Sequence, residues 1–417
     1  MGNAYVIQTK DTQATVPPSD PIEVRLSLWS RLVRDLAVPL GAIGLALLIG
    51  GVLMAIAVPS CQGSSVCSWP LPTRVLIPIN AYWQLLVGAF GTPYDIQETL
   101  TYSVPFMFAA FSVAFAFRGG LFNIGAEGQL YAGAIASTFV GYTLNWPGWM
   151  LLPFCIVIAI VAGAAWAAIP GFLKAYRGAH EVITTMMLNY IALNLMHYLL
   201  INSVTGAKGP MQGNMPGNPI SPSVNVRFPI IVPHAWVPNA DLSVAFLLAL
   251  AAGGVFWFLM SRTTLGFAVR ATGFNIKAAR YAGINVKRTI VLTMLISGAF
   301  AGLAGVSYVF SVGGQMADTF DNYTYGFDAI AVALLGKNTA VGSILAAILF
   351  GALNHGGTTM QATAGIDTHI ISIIQGMIIF LVGAEALIRY LGGVGAVWRR
   401  FGRAQRELDV PAERSAV

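Results

Sequence analysis

The sequence predicts an all-α fold: a polytopic transmembrane helical bundle of eight to ten passes with discontinuous or re-entrant segments. Of its 417 residues, 56% are apolar and only 10% charged, where a soluble domain carries about a quarter charged. Uncharged stretches run for 38 residues between Asp35 and Arg74 and for 46 between Glu127 and Lys174. Each is long enough for two crossings at about 20 residues per span. With the N-terminus placed inside, 19 of the 23 Lys and Arg residues fall on one side, the bias that sets orientation. Disorder, which needs charge and little apolar content, and collagen, which needs glycine at every third position, are both excluded.

Residues 1–36 mix four basic with four acidic side chains and read as a cytoplasmic N-terminal segment. The apolar segment 37–58 that follows is too long for the core of a cleaved signal peptide and is expected to remain as the first span. A transmembrane domain occupies 37–391. The 46-residue stretch breaks at Trp146-Pro147-Gly148, a turn between two spans. Further uncharged stretches cover 182–207, 242–261, 289–317, 338–366 and 368–384, and a basic cytoplasmic tail closes the chain at 392–417.

The inside basic residues comprise four before the first span, Arg118, Lys174, Arg177, six within 262–288 and six from Arg389 onward. Both termini are therefore placed in the cytoplasm. The largest outside loop, 203–240, is rich in Pro, Gly and Asn, which favours turns over long helices. Cys61 and Cys67 also fall outside, where a disulfide is permitted, and stand as either a bridge or two free thiols. Cys155 lies inside an apolar span and reads as a packing residue.

Two segments break the simple helical pattern. FRGGLFNIGAEGQ, residues 117–129, concentrates glycine with Asn123, Glu127 and Gln129 between apolar stretches. GFDAIAVALLGKNTAVG, residues 326–342, joins an apolar run too short to span to a glycine-flanked polar turn. Irregular backbone at membrane depth is tolerated only beside protein or a water-filled cavity, so both are either half-helices lining a pathway or interfacial loops. One in each half resembles the repeated discontinuous segments of transporters. For 313–366, a re-entrant hairpin and two short crossings fit equally.

Ionisable and amide side chains inside spans mark a pathway or a buried pair. Glu127, flanked by Gly125 and Gly128, is either a group beside a solute path or an interfacial carboxylate paired with Arg118. Asn189 shares a helical face with Thr185, four residues earlier; Thr185 reads as glue between helices, Asn189 as a pathway group. His197 reads as packing. Gly298, Gly302 and Gly305 form a small-residue face for close helix contact. Phe106, Phe108, Phe111 and Phe115 either stack on a flat solute or face lipid, the second reading being favoured.

Catalytic chemistry finds little support: there is no H-E-x-x-H, and the five histidines lack metal-ligand spacing. Gly336-Lys337-Asn338 has Ala331 where a phosphate loop needs its first glycine, and asparagine in place of Ser/Thr. The chain is not expected to be an enzyme or to hold a cofactor. The segment 262–288 carries six basic and no acidic residues and contains a short helix, 275–282, between Gly273 and Gly283. It is either topology-setting charge with lipid contact or a docking surface for a cytoplasmic protein; nothing points to nucleic acid.

FRGGLFNIGAEGQ, GAHEVITTMMLNYIALN, AVRATGFNIKAARYAGI and DAIAVALLGKNTAVGSILAAILFGAL, in that order, resemble the permease subunits of ATP-binding-cassette importers, in the branched-chain amino acid, ribose and nucleoside permease family. The resemblance covers about residues 35–395 and is closest to the nucleoside branch; His180 departs from the asparagine expected before Glu-Val-Ile. It implies a bacterial inner-membrane subunit working with a second permease, a cytoplasmic ATPase that consumes the ATP, and an external substrate-binding protein. It implies that 262–288 is the coupling loop, with Gly273, Asn275, Ala278, Ala279, Arg280, Tyr281 and Gly283 at the ATPase. A nucleoside importer is then expected, with Asn123, Glu127, Gln129 and Asn189 as pathway candidates. An ion-gradient-driven secondary transporter is the rival, although a proton relay calls for more Asp, Glu or His in the bundle. A passive channel or structural scaffold would need no external partner.

Overall fold

A computed structural model describes residues 28–57, 76–202, 207–213, 221, 223–231, 237, 242–317, 324–367 and 369–381. Cys61 and Cys67, most of the N-terminal segment, the basic tail and much of 203–240 lie outside the described residues.

The regular structure of the described residues is helical apart from two paired two-residue strands, Ile201–Asn202 and Ala207–Lys208, and an isolated bridge between Ile230 and Ser243. In order the helices are α1 (Leu28–Ala57), α2 (Leu76–Phe90), α3 (Pro93–Arg118), α4 (Ala126–Thr143), α5 (Gly148–Phe172), α6 (Glu181–Leu200), α7 (Val244–Arg262), α8 (Thr264–Phe274), α9 (Ile276–Tyr281), α10 (Val286–Ser307), α11 (Tyr325–Leu335), α12 (Ala340–Ala364) and α13 (His369–Leu381). Helix α5 runs on as a π turn to Arg177, and α10 as another to Gly313. Among the described residues six helices are long and apolar enough to cross a membrane: α3, α5 with its π turn, α6, α7, α10 and α12. Shorter apolar helices stand at Gly41–Ile56, Leu76–Phe90, Tyr325–Leu335 and His369–Leu381.

Helix α3 is the hub. It opens on a capping box, Thr92 Oγ1 accepting the Asp95 amide at 3.2 Å and Asp95 Oδ2 accepting the Thr92 amide at 3.0 Å, with Pro93 at the first position, where no N–H is needed. Beyond its exposed first turn it is buried on every face, its polar Thr99, Thr101, Ser103 and Ser112 included. Phe106, Phe108, Phe111 and Phe115 are each at most 1% exposed. This corrects the lipid-facing reading: Phe111 stacks on Phe256 at 5.6 Å, and Phe106 meets Tyr325 at 4.7 Å and Phe350 at 5.8 Å. A helix surrounded by partners uses its bulk to fill the interior, where dispersion contacts are densest.

Helices α5 and α10 pack backbone to backbone. A methyl group at Gly298 would fall on the Gly163 carbonyl oxygen, and one at Gly302 on that of Ala159. Gly305 in the same way abuts the Leu130 carbonyl of α4. The small-residue face read from the sequence thus seats one helix against two neighbours, the arrangement that lets close van der Waals contact hold helices in lipid. Cys155 is buried on the α5 stripe that includes Leu151, Ala159 and Gly163. The described parts of 203–240 are stitched to one end of the bundle: Ser221 N–H donates to Met316 O, Asn225 N–H to Gly141 O and Phe228 N–H to Phe310 O.

Candidate functional site in the bundle and its coupling surface

The turn after α3 carries the residues that set up the interior. Asn123, Glu127, Gln129 and Asn189 are buried at 0, 3, 1 and 4% exposure, and they form two linked sets of hydrogen bonds. In the first, Asn123 Nδ2 donates to Gln129 Oε1 at 3.0 Å and to Ser297 Oγ at 2.8 Å, while its Oδ1 accepts from Gln129 Nε2 at 3.1 Å and the Gly125 amide at 3.0 Å. Ser297 passes the bond on to Ser112 O at 2.8 Å. One amide so ties α3, α4 and α10 together.

The second set caps helix ends. The first amides of a helix have no partner within it and attract acceptors. Asn189 Oδ1, on α6, accepts the Gly128 amide in the first turn of α4 at 2.8 Å, and its Nδ2 donates to Ile124 O at 2.9 Å. Glu127, in that same turn of α4, offers Oε2 to the Gly326 and Phe327 amides at 2.5 and 3.3 Å. The carboxylate therefore caps α11. Arg118 takes no part in this: its Nε donates to Asn338 O at 3.0 Å, so the paired-carboxylate reading gives way to a cap. Thr185 bonds to the Glu181 carbonyl in its own helix at 2.7 Å, and Gly125 sits against its Cβ.

Helix α11 has 11 residues and rises about 16 Å, roughly half the hydrocarbon thickness. It ends at Gly336, and the turn to α12 holds Lys337 and Asn338 at φ 52 each. Asp328 stands in the first turn of α11, and the Thr324 hydroxyl donates to its Oδ2 at 3.1 Å. The sequence reading singled out neither Asp328 nor the Ser112–Ser297 pair. An acid inside an apolar run too short to span was the signal for the first; two serines 185 residues apart gave none.

The second candidate region is the link between α7 and α10. Asn275 caps α9, its Oδ1 accepting the Lys277 and Ala278 amides at 2.9 and 3.1 Å, and Asn285 caps α10 through the Arg288 amide at 3.1 Å. Ala279 is 2% exposed and packs with Ala116, Leu121, Val286, Ile290 and Met294. Gly273 lies against the backbone of Arg118 to Gly120. Asn275, Ala278, Arg280, Tyr281 and Gly283 face outward. Phe274 and Tyr281 are 91 and 93% exposed. A polar knob thus presents two rings to its surroundings, the pattern of a protein contact.

Residues 96–383 match the family described as the permease component of the branched-chain amino acid transport system. The chain belongs to this family of importer permeases. It is 38% identical over 361 residues to the guanosine ABC transporter permease protein NupP of Bacillus subtilis (strain 168), covering 87% of this chain and 97% of that one. It is 36% identical to the glucose ABC transporter permease protein TsgB13 of Haloferax volcanii, over 81 and 87% of the two chains. It is 35% identical to the nucleoside ABC transporter permease protein NupB of Lactococcus lactis subsp. cremoris, over 75 and 86%. No solved structure matches. The chain is a multi-pass membrane permease of an ABC importer and not an enzyme, which decides against the ion-gradient-driven alternative.

Proposed function

We propose that this permease imports a nucleoside by ATP-driven alternating access, together with a second permease subunit, a cytoplasmic ATPase and an external substrate-binding protein. The observation that carries the substrate is the likeness to the guanosine permease along 97% of that protein's length. Guanosine and glucose both carry adjacent hydroxyls on a sugar ring, so a neutral, hydroxyl-rich solute is the class proposed.

The placement of basic residues supports an inner-membrane protein with both termini, 1–36 and 392–417, in the cytoplasm. The α8–α9 knob then lies on the cytoplasmic side, as does the Arg118–Asn338 contact. Phe274, Tyr281 and the cationic Lys277 and Arg280 meet the ATPase, while Gly273 and Ala279 fit the knob tightly to the end of α3 and the start of α10. Movement of the knob is in this way passed to the turn 119–125. That turn and α11 are the discontinuous segments, irregular backbone buried within protein as membrane depth requires. Asn123, Glu127, Gln129 and Asn189 hold the walls of the pathway in place from behind.

The test is co-purification and uptake with the intact importer. The native chain should bring down an ATPase and support ATP-dependent accumulation of labelled guanosine. A chain with Phe274→Ala and Tyr281→Ala should lose both. Accumulation driven by an ion gradient without an ATPase would overturn the reading.

A further inference from the structure

Helix α11 holds a partly buried carboxylate at half-height, beside an exposed edge of the chain. The height follows from ring contacts: Tyr325 packs on Phe106, midway along α3, and Phe106 on Phe350, near the middle of α12. Asp328 is one turn from Tyr325 on the same short helix. Around it Thr324 is exposed, Phe327 is 38% exposed and Asp328 itself half-buried. Among the described residues no basic side chain forms an ion pair with Asp328. Acyl chains offer no hydrogen-bond donors, so a carboxylate exposed to them midway through the bilayer would leave its acceptors unmet. Something with donors must cover this edge.

We propose that the Thr324–Asp328 edge of α11 is a wall of the solute lane, facing the second permease across it, and that Asp328 selects the sugar of the passing solute. This rests on the import reading above. A carboxylate only accepts hydrogen bonds, and two adjacent hydroxyls match its two oxygens. A neutral nucleoside brings those donors with it, and Phe327 offers a ring for its flat base. Thr324 orients the carboxylate through its 3.1 Å bond. Glu127 differs in kind: its Oε2 is spent on the amides of α11, so it positions the helix and leaves the selecting to Asp328.

Two measurements on the intact importer test this. Uptake of labelled guanosine and of labelled 2′,3′-dideoxyguanosine is compared for wild type, Asp328→Asn and Asp328→Glu, with the binding protein unchanged throughout. Asp328→Asn should lower maximal guanosine uptake about tenfold, leave the half-saturating concentration near wild type, and lower dideoxyguanosine uptake much less. Asp328→Glu should recover part of the guanosine rate. Equal loss for both solutes, or no loss, overturns the selecting role. Separately, Thr324→Cys in a chain with Cys61, Cys67 and Cys155 replaced by serine is treated with a charged, membrane-impermeant maleimide. Labelling that guanosine slows supports the lane; labelling only by a lipid-soluble maleimide overturns it. Were wild type to take up no nucleoside, the substrate reading would fall and the thiol experiment, read without solute, would still decide whether this edge meets water or lipid.

Discussion

The Glu127 carboxylate and the Gly326 amide meet at 2.5 Å across 199 positions of sequence, joining the start of α4 to the start of α11. A helix of 11 residues is marginal by itself, and this one receives its N-terminal acceptor from another helix.

Removing that acceptor should therefore loosen α11. Glu127→Ala is expected to cost about 1.5–3 kcal/mol, the range for a hydrogen bond to a charged group, and to lower the melting temperature of the purified permease. Glu127→Gln keeps an oxygen that can accept both amides and should lose less than half as much. A melt in which Gln and Ala behave alike would show that the cap contributes nothing.

Asn189 is used twice, as acceptor for Gly128 and donor to Ile124. Asn189→Ala leaves the buried Gly128 amide without its partner, at about 1–3 kcal/mol, and the part-buried Ile124 carbonyl without its donor at a smaller cost. Asn189→Asp keeps the acceptor alone and should fall between. In uptake assays the loss should appear in maximal rate and protein yield, with half-saturation unchanged. A shifted half-saturation at full yield would mean that Asn189 touches the solute.

Gly302 lies against Ala159 on one side and Gly133 on the other. Gly302→Leu should prevent accumulation of folded protein, since overpacking here meets backbone with nowhere to move. By contrast Gly254, which has open space around it, should accept alanine with little change. Fluorescence-detected size exclusion of the two variants makes the comparison directly.

Phe274→Ala should leave the melting temperature of the isolated permease within about 1 °C, because a ring 91% exposed contributes little to packing. ATPase recovered on purification should nevertheless fall at least fivefold, as truncating a buried aromatic anchor at a protein contact does.

Most spans were legible in the sequence because lipid demands long uncharged runs, and α5, α6, α7, α10 and α12 emerge from those runs alone; α3 was not among them, since Asp95 and Glu98 stand in its first turns. The glycine face of α10 was legible for the same reason: Gly298, Gly302 and Gly305 repeat at helical spacing. Asn123, Glu127, Gln129 and Asn189 drew notice as polar groups among apolar neighbours; Asn123 and Gln129 bond each other, but the remaining partners drew none, since each lies on another helix or comes from the backbone. The burial of Phe106 to Phe115 was also hidden. A phenylalanine looks the same in sequence whether lipid or protein surrounds it, and only the ring of helices about α3 separates the two.

Where α5 and α10 touch, glycine has removed the side chains that elsewhere let helices slide or re-pack. Two ribbons of backbone so closely seated have no rotamers to exchange, and they can only turn together. The pair is thus a strut. Any cycle that opens this bundle first to one side and then to the other must hinge around it.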